Sequence, residues 1–543
     1  MSEKNEPTAA TATDVDKALL GHATYRSLGE QVLTPAEERF EKARRTTGLW
    51  LAPLVTLVFL LLPMNLKFEQ QTLAAVLLGV IVLWVTEAVP IPIGGLIGVG
   101  AIVVLGAAPL VEDKKPAEIV LAPFGSPTLF TFIGAFIIAQ AMLKHGLARR
   151  FAFFILNLPG VGKSTTRVII AFGVITCLLS AFVSNTATVA MLLPTALGLL
   201  AVIAKLLQRK EIVAKNFDPT RLRVGAALVL MLAYGASVGG LLTPVGSPPN
   251  LIGRELIQKV TGKPITFFDW MGVAVPICAL MFVVLAVVLL LLNKPEIKKL
   301  EGVEEFVRGE RAKLGKLSRA EKNTLVAFGV TVTLWIFPGV IALIFGPESE
   351  TFTFVRDRLD EGIVAVLGAS LLFVLPVAWK AREFTLRWSD AAAIDWGTIV
   401  LFGTGIIFGS LLASTGLAEL IGKSASNALG LTSLFAITAF AVVLAIVVSE
   451  TTSNTASAQV VVPIILPIAA AADVNILIPG LAATFAASFG FMLPVSTPQN
   501  AIAYGSGVVP ITRMIRSGVS FDVLGAILIL LLLPLMAGAL GLV

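Results

Sequence analysis

AFVSNTATVAML (181–192) sets a Ser-Asn-Thr triplet inside an otherwise apolar run, and TTSNTASAQVVV (451–462) does the same again. Hydroxyl and amide side chains stand where a membrane-crossing helix carries Leu and Val. The surroundings make that placement meaningful: 56% of the 543 residues are hydrophobic, 14% are charged, and the mean hydropathy is +0.89. Such a composition describes a polytopic membrane protein. Apolar runs long enough to span or half-span a bilayer recur from residue 48 to residue 542. They predict an all-α fold of about eleven transmembrane helices plus two broken or re-entrant pairs.

Residues 1–46 are polar and mixed in charge, without the basic-then-apolar pattern of a secretory leader, and are expected to stay in the cytoplasm. The stretch PAEERFEKARRTTGLWL (35–51) reads either as an amphipathic helix lying on the membrane before the first span or as part of a disordered tail. Lys and Arg collect in the connection 294–322, and also in 144–167, 205–223 and 380–387, whereas 346–361 is acidic. Positively charged loops remain inside, so an odd number of spans puts Val543 outside. The formal charge of +6 is then a topology signal, and no nucleic-acid partner is expected.

Longer alignments of the two stretches, SAFVSNTATVAMLLP (180–194) and SETTSNTASAQVVVP (449–463), share a Ser, three variable residues, Ser-Asn-Thr-Ala and a later Pro, 269 positions apart (184 to 453). AMLKHGLA (141–148) matches LLASTGLA (411–418) at 270 (146 to 416), and TPVGSPPN (243–250) matches LPVSTPQN (493–500) at 250 (250 to 500). The polar loop 205–223, absent from the second half, accounts for the shortfall. Matches at nearly one offset indicate duplicated halves: 47–293 with a hairpin at about 166–205, and 323–543 with a hairpin at about 432–472, joined by the basic loop 294–322. If each half crosses an odd number of times, the copies are inverted and their motifs meet inside the membrane.

One Ser-Asn-Thr reads as a capping or helix-packing triplet. Two copies, each followed by a Pro step (248–249 and 497–498), read as segments whose freed backbone groups line a cavity or bind something. Ser and Asn oxygens with bare carbonyls suit an alkali cation, and helix N-termini suit a carboxylate.

On these motifs, together with LWVTEAVPIPIGGL (83–96), IDWGTIVLFGTGIIFGSLLASTGLAE (394–419), GSPPNLIG (246–253) and FMLPVSTPQNAIAYGSG (491–507), the chain from about residue 48 onward resembles the divalent anion/sodium symporters, or sodium/dicarboxylate cotransporters. The resemblance implies two hairpins entering from opposite sides, two Na⁺ sites, a homodimer, and scaffold and transport domains that work as an elevator. It implies a first Na⁺ site at Ser180, Ser184, Asn185 and the carbonyl of Gly246, and a second at Ser449, Thr452, Asn454 and the carbonyl of Ser496. The substrate, a C4-dicarboxylate such as succinate, malate or fumarate, would lie against Ser184, Asn185, Thr186, Ser247, Ser453, Asn454, Thr455, Thr497 and Pro498. Sulfate or citrate as substrate, and sodium-independent exchange as mode, stay open. A bacterial inner membrane is the expected location. Gln499 stands where the family more often has a second Pro, and Ser449 where Thr is common.

Neither motif contains Lys or Arg, so a dianion needs cations and helix dipoles for neutralisation. With two or more Na⁺ per dianion, the cations also draw substrate inward. PGVGKSTT (159–166) imitates a phosphate-binding loop, but Asn157 occupies the first Gly position and an apolar helical run precedes it, so a nucleotide site is not expected. Glu87, beside two prolines, is read as interfacial and structural. Glu450 tunes the second cation site or faces solvent. Two His and two Cys provide no transition-metal spacing, and no acid–base constellation supports an enzyme.

Overall fold

A computed structural model describes residues 15, 19, 35–109, 113–214 and 217–542. The sidedness expected of residues 1–46 falls largely outside these residues, and that of Val543 wholly so. The first half runs through α1 (Pro35–Leu61), α2 (Phe68–Thr86), α3 (Ile91–Val104), α4 (Pro116–Leu121), α5 (Pro127–Lys144), α6 (Leu147–Leu156), α7 (Thr165–Ser180), α8 (Asn185–Arg209), α9 (Arg223–Gly240), α10 (Pro248–Thr261) and α11 (Phe267–Leu292). The basic connection carries α12 (Val303–Lys313). The second half contains α13 (Arg319–Phe345), α14 (Glu350–Arg358), α15 (Glu361–Val374), a small hairpin of β1 (Pro376–Ala378) and β2 (Glu383–Phe384), and α16 (Trp388–Ala391). It continues with α17 (Trp396–Ser414), α18 (Leu417–Leu429), α19 (Leu434–Thr451), α20 (Asn454–Ala471), α21 (Leu477–Ala486), α22 (Pro498–Gly505) and α23 (Ile511–Ala539).

Eleven of the described helices are long and apolar enough to cross a membrane. This bears out the all-α membrane fold of about eleven spans, and α8, α19 and α20, which lead into or out of the Ser-Asn-Thr turns, are among the eleven. Short apolar helices, α3, α7, α15 and α21, complete the bundle. The stretch 35–51 is not a separate surface helix, since α1 continues without a break into the first apolar span.

The polarity of each helix sorts its position. In α9, 94% of the apolar window is buried, against 11% in α1, 22% in α13 and 28% in α23. A helix that is apolar on all sides belongs in a core or against lipid, and here α9 takes the centre while α1, α13 and α23 present their apolar faces outward. The two halves interlock: α10 of the first packs against α20 and α21 of the second, and α22 of the second packs against α8 and α9 of the first. Tyr234 Oη on α9 donates to Phe491 O at 2.6 Å, with Met514 O at 3.2 Å. The matching Gly-Leu-Ala triplets have one conformation: Gly146 and Gly416, at φ 70° and 74°, are the N-caps of α6 and α18, a left-handed backbone that glycine adopts without a Cβ clash.

Away from these seams, Arg254 on α10 makes a fork-to-fork pair with Glu361 on α15, Nη1 to Oε2 at 2.7 Å and Nη2 to Oε1 at 2.8 Å. Glu361 also accepts from Phe267 N at 2.9 Å. Breaking a largely buried pair strands the other charge, at about 3 kcal/mol, whereas the exposed Lys423–Glu419 pair is screened by solvent and contributes little. Arg254→Leu is therefore expected to lower the melting temperature of the purified protein by several degrees and Lys423→Ala to leave it unchanged, as read by a thermal scan monitored by size-exclusion chromatography. Equal behaviour of the two variants would refute the ranking.

Candidate functional site: two oxygen clusters at the hairpin tips

The first hairpin turns between α7 and α8. Ser180 Oγ, the last α7 side chain, donates to Asn185 Oδ1 at 2.5 Å, and both residues are buried. Ser184 caps α8, its Oγ accepting from Ala187 N at 3.3 Å, so the local chemistry of the triplet is that of an N-cap. Opposite, α9 ends at Gly240 and the chain is non-helical until α10 begins at Pro248. Thr243 Oγ1 donates to Ala181 O and ties this stretch to the tip. A Cβ on Gly240 would lie 2.6 Å from Asn185 Oδ1. One on Gly246 would lie 2.6, 2.9 and 3.0 Å from the carbonyl oxygens of Gly240, Ala181 and Ser180. Three main-chain oxygens thus crowd around Gly246, beside the Ser180–Asn185 pair.

The second hairpin reproduces this arrangement. Ser449 Oγ lies 2.8 Å from both Asn454 Oδ1 and Ala487 O, and its single proton serves one acceptor at a time. Ser453 caps α20 by accepting from Ala456 N at 3.2 Å. After α21 the chain unwinds until α22, and a Cβ on Gly490 would lie 3.0 Å from Asn454 Oδ1, 3.0 Å from Ser496 Cβ and 3.3 Å from Ser449 Oγ.

Two residues outside the sequence-based site set complete the symmetry. Asn250 Nδ2 donates to Gly240 O at 2.7 Å and Thr243 O at 2.8 Å. Asn500 Nδ2 donates to Gly490 O at 2.7 Å and Leu493 O at 3.2 Å. Both side chains are fully buried, and among the described residues neither Oδ1 has a hydrogen-bond partner. The signal lay in the aligned pair TPVGSPPN and LPVSTPQN, whose last residues these are.

The halves differ in charge. Glu450, 3% exposed, accepts from Met492 N at 2.7 Å, Leu493 N at 3.3 Å and Ser496 Oγ at 2.6 Å, which rules out the solvent-facing alternative and places a carboxylate beside the second cluster.

Ser180, Asn185 and Gly246 come together, as do Ser449, Asn454 and Ser496. Thr452 does not join them through its side chain, because its Oγ1 bonds back to Val448 O at 2.7 Å, the local alternative open to any helical Thr. Thr497 Oγ1 caps α22 by accepting from Asn500 N at 3.3 Å, Ser247 is a buried N-cap residue of α10 without a side-chain cap bond, and Pro498 is the exposed first residue of α22. Thr186 and Thr455 sit half-buried in the first turns of α8 and α20. Four helices, α8, α10, α20 and α22, therefore begin at the candidate residues, and each end carries partial positive charge.

Other residues raised by the sequence are structural. Gln499 Nε2 donates to Ser237 Oγ at 3.0 Å within the packing between halves. Glu87, at the C-terminus of α2, pairs with Arg44 at 3.2 Å. Ser164 forms an antiparallel bridge with Lys299, and Thr165 N donates to Lys298 O at 3.1 Å, so PGVGKSTT is tied to the basic connection. An open cavity of about 480 Å³ lies away from the tips, lined by Arg254, Glu255, Trp335 and Glu361 among others.

Long apolar helices around two buried, oxygen-rich, broken-helix clusters define a polytopic membrane transport protein. A family model described as the sodium:sulfate symporter transmembrane region matches residues 43–543, and the chain belongs to that family. It is 31% identical over 500 residues to the sodium-dependent dicarboxylate transporter SdcS of Staphylococcus saprophyticus, covering 91% of this chain and 92% of the relative. It is also 31% identical over 497 residues to SdcS of Staphylococcus aureus strain bovine RF122, covering 90% of each. Among solved structures, the YdaH transporter of Alcanivorax borkumensis aligns with a TM-score of 0.50 at 12% identity, covering 77% of this chain and 87% of that one. MtrF of Neisseria gonorrhoeae, described as illuminating a class of antimetabolite efflux pumps, aligns at 0.51 and 14%, covering 83% and 94%. These two likenesses concern the fold. The relatives are transporters, and the chain is a transporter rather than an enzyme.

Gly246→Ala is expected to destabilise the protein by about 1–3 kcal/mol, because main-chain atoms that cannot swing aside surround the new methyl. Gly505→Ala, with nothing within 4 Å of its Cβ, is the control, and indistinguishable thermal stabilities would contradict the crowding at Gly246.

Proposed function

We propose that this chain is a sodium-coupled secondary transporter of C4-dicarboxylates such as succinate, malate and fumarate. The observation that carries the reading is the twofold Ser–Asn–Gly cluster: Ser180, Asn185 and Gly240 in one half, Ser449, Asn454 and Gly490 in the other. Each cluster gathers neutral hard oxygens, the second with the Glu450 carboxylate beside it, the donor set that suits an alkali cation and not a transition metal. The name of the SdcS relatives supports sodium and dicarboxylate as the transported pair.

In this reading one Na⁺ binds at Ser180, Asn185 and the carbonyls around Gly246, with Ser184 at its edge. A second binds at Ser449, Asn454 and the carbonyls of Thr452 and Ser496. The dianion lies between the tips, its carboxylates facing Thr186, Ser247, Thr455 and Thr497 at the starts of four helices. Two Na⁺ neutralise one dianion. A tenfold sodium ratio contributes about 1.4 kcal/mol per ion, so two ions sustain roughly 100-fold accumulation. The duplicated halves are inverted repeats that move as a transport domain against a scaffold in an elevator cycle. The protein works as a homodimer in a bacterial inner membrane, with its N-terminus cytoplasmic and its C-terminus outside.

Asn185→Ala and Asn454→Ala are each expected to weaken Na⁺-dependent succinate binding at least tenfold while the protein still inserts and dimerises. Undiminished transport in both would sink the cation-site assignment. Thr455→Ala is expected to raise the succinate half-saturation more than the Na⁺ half-saturation, which paired titrations of the two ligands decide. The family description names sulfate, so sulfate is the competing substrate; displacement of bound succinate by equimolar sulfate would favour it over the dicarboxylate.

A further inference from the structure

Asn250 and Asn500 occupy the third positions of α10 and α22, each just past a Pro that opens the helix. Their amides are oriented by their partners: the nitrogen of each faces two main-chain carbonyls, seven and ten residues earlier. Those carbonyls lie at or just past the helix break, where the N–H four residues on no longer closes a helical bond; Thr243 O and Leu493 O also accept from the turn amides Gly246 N and Ser496 N at 3.3 Å. The clamped Gly240 packs against Asn185 Oδ1, and the clamped Gly490 packs against Asn454 Oδ1. An identical chain of contacts therefore runs in both halves, from the α10 or α22 asparagine, through a glycine carbonyl, to the hairpin-tip asparagine.

The clamp is specific in its chemistry. A side chain with two donors on one atom at this reach can hold both carbonyls, and among the described residues neither Oδ1 has a donor, so the contact to the break is made through the nitrogen. Gly240 O is also one of the three oxygens around Gly246, so its direction sets the shape of the first oxygen cluster.

Resting on the sodium-coupled reading above, we propose that Asn250 and Asn500 are positioning residues of the two cation sites, setting cation affinity and selectivity by fixing the carbonyls of the unwound stretches. They touch neither substrate nor reacting atoms and act through Gly240 and Gly490.

The test is Na⁺-driven succinate uptake by full-length protein in proteoliposomes for wild type, Asn250→Ala and Asn500→Ala, with Na⁺ and then Li⁺ titrated at saturating succinate. Each variant is expected to raise half-saturating Na⁺ at least tenfold and change the Na⁺-over-Li⁺ preference at least threefold, with the succinate KM at saturating Na⁺ within threefold of wild type. Unchanged cation dependence with a maximal rate that falls only with the amount of folded protein would make the clamps purely structural and overturn the proposal. A shift in succinate KM without a shift in Na⁺ would overturn it as well. Hydrogen–deuterium exchange on the wild type covers poorly folding variants: Na⁺ without substrate is expected to protect 240–250 and 488–500, and absence of protection there would overturn the role. Wild-type uptake that ignores Na⁺ would defeat the sodium reading and this inference together, whereas sodium-dependent wild type with unaltered variants would defeat the inference alone.

Discussion

Main-chain carbonyls and amides cannot be left unsatisfied away from water, and the rest of this structure depends on how that constraint is met where the helices break. Each break needs a substitute for the missing i to i−4 ladder. Here the substitutes are side chains: Asn250 and Asn500 on paired carbonyls, Thr243 on the opposite tip, and Glu450 on the amides of Met492 and Leu493. Carbonyls that remain are gathered where hard cations can use them, so one device both stabilises irregular backbone and builds the candidate sites.

Interlocking follows from the same economy of space. Each hairpin tip packs on the break of its own half, and the half-helices that follow cross over: α10 leans on the hairpin arm α20 of the other half, and α22 on α8. Glycines let each tip lie close against its break: a Cβ on Gly240 or Gly246 would meet a side-chain or carbonyl oxygen at 2.6 Å, and one on Gly490 would sit tightly against Asn454 Oδ1 at 3.0 Å. The two oxygen clusters are thereby joined through one packed body, with Tyr234 bonding across from α9 to Phe491. Such a body can carry both clusters together, which is what coupled movement of cations and an anion requires. The clusters are not equal, however, since the buried Glu450 carboxylate adjoins only the second.

Much of this was legible in the residues. Two Ser-Asn-Thr triplets at a constant offset, each followed by a Pro step, marked the two helix–turn–helix tips and the breaks that face them, because hydroxyl and amide groups in apolar runs have few structural explanations when they recur. Less legible were features set by direction. That Thr452 turns its hydroxyl back to Val448 depends on a rotamer, and that Glu450 is buried depends on how the unwound 488–497 stretch folds over it. Asn250 and Asn500 were visible in the aligned repeat but look like ordinary residues after a Pro; their partners lie seven and ten residues upstream across a helix break, where a helical period no longer applies. The continuity of α1 was hidden because its charged first half and apolar second half suggest two elements.

The proposed transport rests on two oxygen clusters that bind sodium so that a dicarboxylate can enter with it. Its most direct measurement is uptake of radiolabelled succinate into proteoliposomes, under an inward Na⁺ gradient or with K⁺ in its place, with and without dicarboxylate preloaded inside. Accumulation that requires Na⁺ and needs no internal substrate is the expected result. Uptake that ignores Na⁺ but depends on internal dicarboxylate would contradict it, and the tips would then act as carboxylate ligands of an exchanger.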